Sequence, residues 1–221
     1  VGREMYQPPT QEVSVLAVIN AFNEADMIEE TIYHLLTQGI DVRLVDNWST
    51  DGTYEKALAM ANQWPQQVTV ERFPEEPTGK YEWERLLRHT VDCGAASGYD
   101  WVMHQDADEI REAPWQEANL RQAISHADAL GYNALDFTVL DFRPVEPDAV
   151  KREGDYRMRL PFFEFGKRPG HFLQIKAWKN QPQLDVELSA SGGHEAAFAG
   201  RKTFPLKFIS RHYPIRSQKH G

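Results

Sequence analysis

Only one cysteine, Cys93, occurs in the 221 residues, which excludes an internal disulfide framework and a cluster of thiolate metal ligands. Long apolar runs are missing too. Nothing in the sequence approaches the ~18 consecutive apolar residues that a membrane-spanning helix needs, and residues 1–11 lack the apolar core of a secretory signal. Basic residues are scarce over most of the chain: residues 1–150 carry 10 Lys/Arg against 27 Asp/Glu, whereas residues 151–221 carry 14 against 6. So acidic a body lacks the broad basic surface of a nucleic-acid binder. The basic remainder suits a phosphate-bearing ligand that also meets acidic groups through a metal, although a solvated charge imbalance would look the same. The lone cysteine fits a reducing, cytoplasmic setting, with membrane association left to partners or to segments outside this chain. Internal repeats and low-complexity linkers are absent, so residues 1–221 are expected to form a single domain. The missing initiator Met and the end at Gly221 read as one module of a longer protein.

What is present is an alternation of strand and helix patterns over the first 110 residues. Val13 to Asn20 is a nearly continuous apolar run, as in a strand buried on both faces. Ala25 to Gln38 places Ile28, Ile32, Leu35 and Leu36 at helical spacing before Gly39. Further strands are predicted at Arg43 to Val45, Gln67 to Phe73 and Asp100 to Gln105, with helices at Thr53 to Trp64 and Tyr81 to Ala96. Four strands separated by helices imply a parallel, right-handed βαβ sheet. Beyond it come a helix (Trp115 to Leu130), a strand (Asn133 to Phe142), an irregular Pro-, Gly- and Arg-rich stretch (143–170) and short strands at Phe172 to Trp178 and Leu206 to Ile209.

Ligands of open parallel sheets bind beyond the carboxyl ends of the strands. Those ends carry Asn20-Ala21-Phe22-Asn23-Glu24, Asp46-Asn47, Arg72 and Asp106-Ala107-Asp108. If the last triplet is extended, Asp106 and Asp108 point the same way. Two such carboxylates repel unless a cation lies between them, and a hard divalent ion such as Mn²⁺ or Mg²⁺ shared with diphosphate oxygens meets that need. Alone, the spacing also fits a solvated strand end.

Together these segments resemble the family-2 glycosyltransferases and their GT-A-fold relatives in the nucleotide-diphospho-sugar transferase superfamily. Phe22-Asn23-Glu24 is similar to that family's Tyr-Asn-Glu triplet. Asp46-Asn47-Trp48-Ser49-Thr50-Asp51-Gly52-Thr53 is similar to its Asp-Asp/Asn-x-Ser-x-Asp-Gly-Thr, with Trp48 where the family has a small residue. Gly79-Lys80 and Asp106-Ala107-Asp108 match its Gly-Lys and D-x-D elements. The resemblance implies a GT-A α/β fold with a mainly parallel sheet flanked by helices. Residues 1–110 would form the nucleotide-binding half, and 111–221 the half that binds acceptor and completes the metal shell. It implies transfer of a sugar from a UDP- or GDP-type donor to a hydroxyl of a carbohydrate or other acceptor, with inversion, in glycan synthesis. Asp46 would accept a hydrogen bond from the base, Ala21, Asn23 and Glu24 would line the base and ribose, and Arg72 and Lys80 would approach the nucleotide.

In the last third, Ser191-Gly192-Gly193-His194-Glu195 is similar to Gly-Gly-Glu loops of GT-A enzymes, which implies Glu195 or His194 as the base. The segment 210–217 resembles the late His-Tyr segment of bacterial relatives. It implies His212 as a third metal ligand after Asp106 and Asp108, and Arg211 and Arg216 as partners of the diphosphate. Basic and aromatic residues in 143–170 (Lys151, Arg152, Arg157, Arg159, Lys167, Arg168, Phe162, Phe163 and Phe165) could grip the acceptor. Two rival readings are a nucleotidyltransferase and a non-catalytic nucleotide-sugar-binding module. The first is disfavoured because the segment after the opening strand is acidic rather than Gly-rich and basic.

Overall fold

Strand β1 (Val15–Ala21) is buried along its whole length, and its alternate residues enter different cores. Val15, Ala17, Ile19 and Ala21 pack with Ile28, Ile32 and Leu35 of helix α1 (Ile28–Thr37), while Leu16 and Val18 pack with Leu86, Leu87 and Cys93 of helix α3 (Trp83–Ser97). A continuous apolar strand is therefore what a sheet covered on both faces requires. The computed structural model describes residues 6–146, 154–166 and 169–216, so Lys151, Arg152, Lys167, Arg168 and Ser217 lie outside the described residues.

The remaining elements are β2 (Asp41–Asp46), α2 (Thr53–Gln63), β3 (Val68–Arg72), β4 (Trp101–Asp106), β5 (Glu109–Glu112), α4 (Leu120–Ala129), β6 (Ala134–Phe142), α5 (Tyr156–Arg159), β7 (Phe163–Phe165), α6 (Pro169–Phe172), β8 (Ile175–Lys179) and β9 (Phe208–His212). The sheet order is β3-β2-β1-β4-β8-β6-β9-β5, with β7 beside β6. The four strands β3, β2, β1 and β4 are mutually parallel, as expected. β8 then runs antiparallel to both β4 and β6, and β9 pairs parallel to β6. The fold is α/β with a mixed sheet whose parallel half is the N-terminal one.

Local chemistry explains several boundaries. Asn119 and Gln122 form a reciprocal capping box, so α4 starts at Leu120 rather than at Trp115 as its apolar pattern suggests. Helix α3 ends at Gly98, whose φ of 75° favours glycine. Gly94 is needed for close packing, since a Cβ there would sit 2.8 Å from both methyl groups of Val102 on β4.

The acidic triplet departs from the sequence expectation. Asp106 ends β4, Ala107 and Asp108 make a turn, and β5 leaves that turn to pair antiparallel with β9 at the far end of the sheet. The two carboxylates are brought to one cleft by a reversal of the chain rather than by the alternation of an extended strand.

Candidate active site

The two N-terminal motifs are largely occupied with each other. The Asn23 amide N–H donates to Ser49 Oγ (2.9 Å), and Asn23 Oδ1 accepts from the Thr50 N–H (2.9 Å). Glu24 N–H donates to Thr53 Oγ1 (2.8 Å), and Ala25 N–H to Asp51 Oδ2 (3.0 Å). The Ala21 carbonyl accepts from Asn47 N–H (2.8 Å) and prolongs the β1–β2 ladder. Asn23 and Trp48 both hold positive φ, 60° and 58°. Asn tolerates that region well, whereas a bulky side chain is strained there unless held. Trp48 is held: its Nε1 donates to the Pro74 carbonyl (2.8 Å) and the Arg72 guanidinium lies 4.8 Å from its ring.

Asp46 sits at the end of β2 inside this scaffold, with a fully buried side chain. Its Oδ2 accepts from Ser49 N–H (3.1 Å) and lies 3.7 Å from Arg72 Nε, while Oδ1 has no hydrogen-bond partner among the described residues. Burial raises its pKa, against the hydrogen bonds from Ser49 and the charge of Arg72. A buried acceptor with an unused oxygen is what a donor N–H from a ligand would satisfy. Arg72 itself stacks on Tyr54 at 4.1 Å, with its charge beside the Asp46 carboxylate.

The neighbouring cleft, of about 240 Å³, is lined by Asn20, Phe22, Glu24, Tyr81, Asp106, Ala107, Asp108 and His212. In the sheet, Ala21 pairs with Asp46 and Asn20 pairs with Asp106, so β1 lies between the two acids and places them at one sheet edge. The rings of Phe22 and Tyr81 stack at 5.7 Å above that edge. A second hollow of about 260 Å³ shares Asn20, Tyr81 and Asp106 and adds Trp83, Leu87, His104 and Gly192.

Each acid of the turn already faces basic side chains. The ammonium of Lys176, on β8 and 2% exposed, contacts Asp106 Oδ2 and lies 3.1 Å from Glu109 Oε1. His104 Nε2 lies 3.4 Å from Asp106 Oδ1. Burial disfavours the charged carboxylate, yet Lys176 and His104 hold Asp106 well below the usual carboxylate range. Glu109 is likewise brought down to about 2 against burial, by Lys176 and by Arg111, whose Nη2 is 2.6 Å from Glu109 Oε2. On the other side, His212 Nε2 lies 3.3 Å from Asp108 Oδ2, and its Nδ1 lies 2.6 Å from Asp141 Oδ1. Burial alone would lower the His212 pKa; Asp108 and Asp141 override it and raise it to about 10.

Other residues predicted from sequence fall elsewhere. Arg211 alternates with His212 on β9 and so faces the opposite side, where it pairs with Glu112 (2.9 and 3.2 Å) and lines a different hollow with Phe142 and Arg157. Arg216, 1% exposed, bonds Glu24 and Asp26 and lies 3.8 Å from Asp108, so it ties the late segment to the β1–α1 loop. Lys80 is largely exposed beside Glu82 and does not line the cleft. Glu195 Oε1 is held by Arg201 Nη2 at 2.6 Å. His194, by contrast, stands in the field of Lys176, Asp106 and Glu109, and burial with the Lys176 charge lowers its pKa. Its Nδ1 is 2.9 Å from the Gln174 side-chain nitrogen.

Sequence reasoning missed Lys176, Glu109, Arg111, His104 and Asp141. One signal was available: a lysine inside the apolar run Ile175-Lys176-Ala177-Trp178 must have buried partners.

The donor set tests well for a hard divalent ion. Asp141 fixes the imidazole through Nδ1 and leaves Nε2 beside the Asp108 carboxylate, a carboxylate-and-imidazole pair suited to Mn²⁺ or Mg²⁺ once the ion displaces the Nε2 proton. Asp106 fits less directly, since one oxygen contacts the Lys176 ammonium and the other faces His104.

Among solved structures, the chain resembles a mannosyltransferase from Pyrobaculum calidifontis in complex with GDP-Man and Mn²⁺ (24% identity, TM-score 0.46, covering 62% of this chain and 38% of that one). It also resembles the glucosyl-3-phosphoglycerate synthase of Mycobacterium tuberculosis with Mn²⁺, UDP and glucosyl-3-phosphoglycerate (22%, 0.36, 63% and 47%) and a mycobacterial protein (17%, 0.45, 91% and 65%). The chain thus spans less than half the length of the first two. No curated protein matches it. The model of the family described as Glycosyl transferase family 2 matches residues 16–166, from β1 to just past β7, including both N-terminal motifs and the acid turn. That match covers more than half of the chain, and this protein belongs to glycosyl transferase family 2.

Proposed function

We propose that this domain moves a sugar, with inversion, from a UDP- or GDP-type nucleotide-diphosphate sugar to a hydroxyl of a carbohydrate or other acceptor in glycan synthesis. The observation that carries this reading is the shared sheet edge: Asp46, with its unused buried oxygen, and the acids Asp106 and Asp108 flank β1 at the carboxyl ends of parallel strands. The base would meet Asp46, and the ribose would lie along Ala21 and Glu24, where Phe22 and Tyr81 wall the cleft. Asn23 would support this pocket by locking its two loops rather than by touching the nucleotide.

Asp108 and His212 would hold the divalent ion, which when bound supplies positive charge to the leaving diphosphate. Lys176, shared by Asp106 and Glu109, offsets the negative charge of the acid turn beneath the same site, so a departing diphosphate would meet less repulsion there. Of the two candidate bases His194 is the freer one, because Glu195 is tied to Arg201 while burial and the Lys176 charge lower the His194 pKa. Arg157 and Arg159 are joined to Glu30, Asp155 and the Arg216 carbonyl, whereas Phe162, Phe163 and Phe165 are exposed. Of the irregular stretch, the aromatic residues are therefore the stronger candidates for meeting an acceptor.

The test is release of nucleoside diphosphate from UDP- and GDP-sugars with Mn²⁺ or Mg²⁺ and a panel of acceptors. Nucleoside diphosphate released only with acceptor supports transfer. Pyrophosphate exchange from a nucleoside triphosphate would instead support the nucleotidyltransferase reading, and binding without any turnover the non-catalytic one.

A further inference from the structure

Away from the cleft, three potential metal ligands of different chemistry converge between β3 and α3. Glu71 Oε1 lies 2.7 Å from His89 Nε2 and 3.6 Å from Cys93 Sγ, and Cys93 Sγ lies 3.4 Å from His89 Nε2. His89 and Cys93 are one helical turn apart on the same face of α3, so a rigid element presents both. The His89 ring is stacked on Phe73 at 4.0 Å and 6°, which fixes the direction of Nε2. Cys93 is buried, while Glu71 and His89 keep partial exposure through which an ion can enter.

We propose that Glu71, His89 and Cys93 form a binding site for a thiophilic divalent cation, Zn²⁺ above all, separate from the cation of the cleft. Tetrahedral zinc with ordinary bond lengths to sulfur, nitrogen and oxygen gives ligand-to-ligand edges of about 3.4–3.6 Å. Two of the three edges already have that length, and only the His89–Glu71 hydrogen bond must open, by about 0.7 Å against the same geometry. Arg43 does not block this. Its Nη2–Oε2 bond to Glu71 (2.8 Å) can persist while Oε1, which Nε of Arg43 also contacts (3.0 Å), turns to the ion. A hydrogen-bonded outer oxygen is the usual companion of a ligating carboxylate. An ion pair alone accounts for Arg43 and Glu71, but it gives no reason for a buried thiol to face both the carboxylate and the imidazole. On binding, the Cys93 thiol proton leaves to solvent and the His89 proton moves from Nε2 to Nδ1, so the ion is met by a thiolate, a neutral imidazole and a carboxylate.

Cobalt(II) is the probe. Titrating the intact protein with Co²⁺ should give a thiolate-to-cobalt charge-transfer band in the near ultraviolet with one-to-one stoichiometry, and one equivalent of Zn²⁺ should erase it. Cys93→Ser should abolish the band, and His89→Gln should weaken Co²⁺ binding at least tenfold, with both variants checked for fold by circular dichroism. Asp108→Asn, which alters the cleft, should leave the band intact. No charge-transfer band in the wild type, or a band that survives Cys93→Ser, overturns the proposal. Should Cys93→Ser fail to fold, unchanged Co²⁺ affinity in His89→Gln overturns it equally.

Discussion

The two ends of the sheet edge handle their carboxylates in opposite ways. Around Asp46, interlocking loops remove almost all local freedom and leave one buried oxygen unused. Around Asp106 and Asp108, basic side chains crowd the carboxylates: Lys176 and His104 meet the first, His212 and Arg216 the Oδ2 of the second. Under the proposed function, the first end would accept a neutral donor with no rearrangement. The second would exchange one set of positive charges for another, and its affinity for ligands would then depend on ionic partners. Rigid recognition and adjustable electrostatics are thus separated by the width of one strand.

The largest effect expected falls on the adjustable end. Asp108→Ala should lower transfer by on the order of 10³-fold, as loss of a transition-state charge contact does, and should remove the metal dependence of nucleotide binding. Wild-type turnover that persists in a chelator would break the assignment. Close behind, Lys176→Met leaves buried Glu109 with Arg111 alone and takes the ammonium from part-exposed Asp106. Breaking a fully buried pair costs about 3–5 kcal/mol, and with Arg111 still in place the loss should fall at or below the lower end of that range, to be read from denaturant unfolding; a loss under about 1 kcal/mol would show that the acid turn does not depend on it. At the rigid end, Asp46→Ala should weaken nucleotide binding by about 1.5–3 kcal/mol, one charge-assisted hydrogen bond, equally with and without Mn²⁺. Calorimetry showing that the loss requires metal would erase the contrast between the two ends.

A smaller effect concerns pH. Burial, together with the Asp108 charge, raises the Glu24 pKa from 4.5 to about 7 despite Arg216. A raised acid binds more protons in the folded state, so in metal-free protein the contribution of Glu24 to stability is fullest below pH 4.5 and declines as pH rises towards 7. Glu24→Gln should flatten the melting temperature over that window, and an unchanged slope would mean that Arg216 neutralises Glu24 throughout. The smallest effect belongs to Arg211, which faces Glu112 across the sheet from the cleft. Arg211→Ala should change donor Kd by less than about twofold, within the range of surface pairs; a tenfold loss would place it at the diphosphate after all.

Much of the parallel half was legible in the sequence, because strands buried on both faces and helices with one apolar stripe leave strong periodic patterns. The start of α4 was not, since Trp115 and Ala118 join the apolar face although the Asn119 capping box starts the helix later. β5 was missed as well: three of its four residues are charged, and the ion pairs with Lys176 and between Glu109 and Arg111 compensate the charges buried there.

The sequence by itself determined the class of chemistry and the order of the motifs, because acids at strand ends and loop-forming triplets are local features of a parallel sheet. It could not decide which motif residues touch ligand and which hold the loops. Asn23, Ser49, Asp51 and Thr53 look functional in one dimension and prove to be mutual hydrogen-bond partners across about 26 residues of chain. Nor could it assign partners to the acid turn. Lys176 reaches Asp106 from 70 residues away and His212 meets Asp141 from 71. Those pairings are set by strand order, which brings β8 beside β4 and β9 beside β6. Charge compensation in a buried site is a property of that packing, and only the tertiary structure decides it.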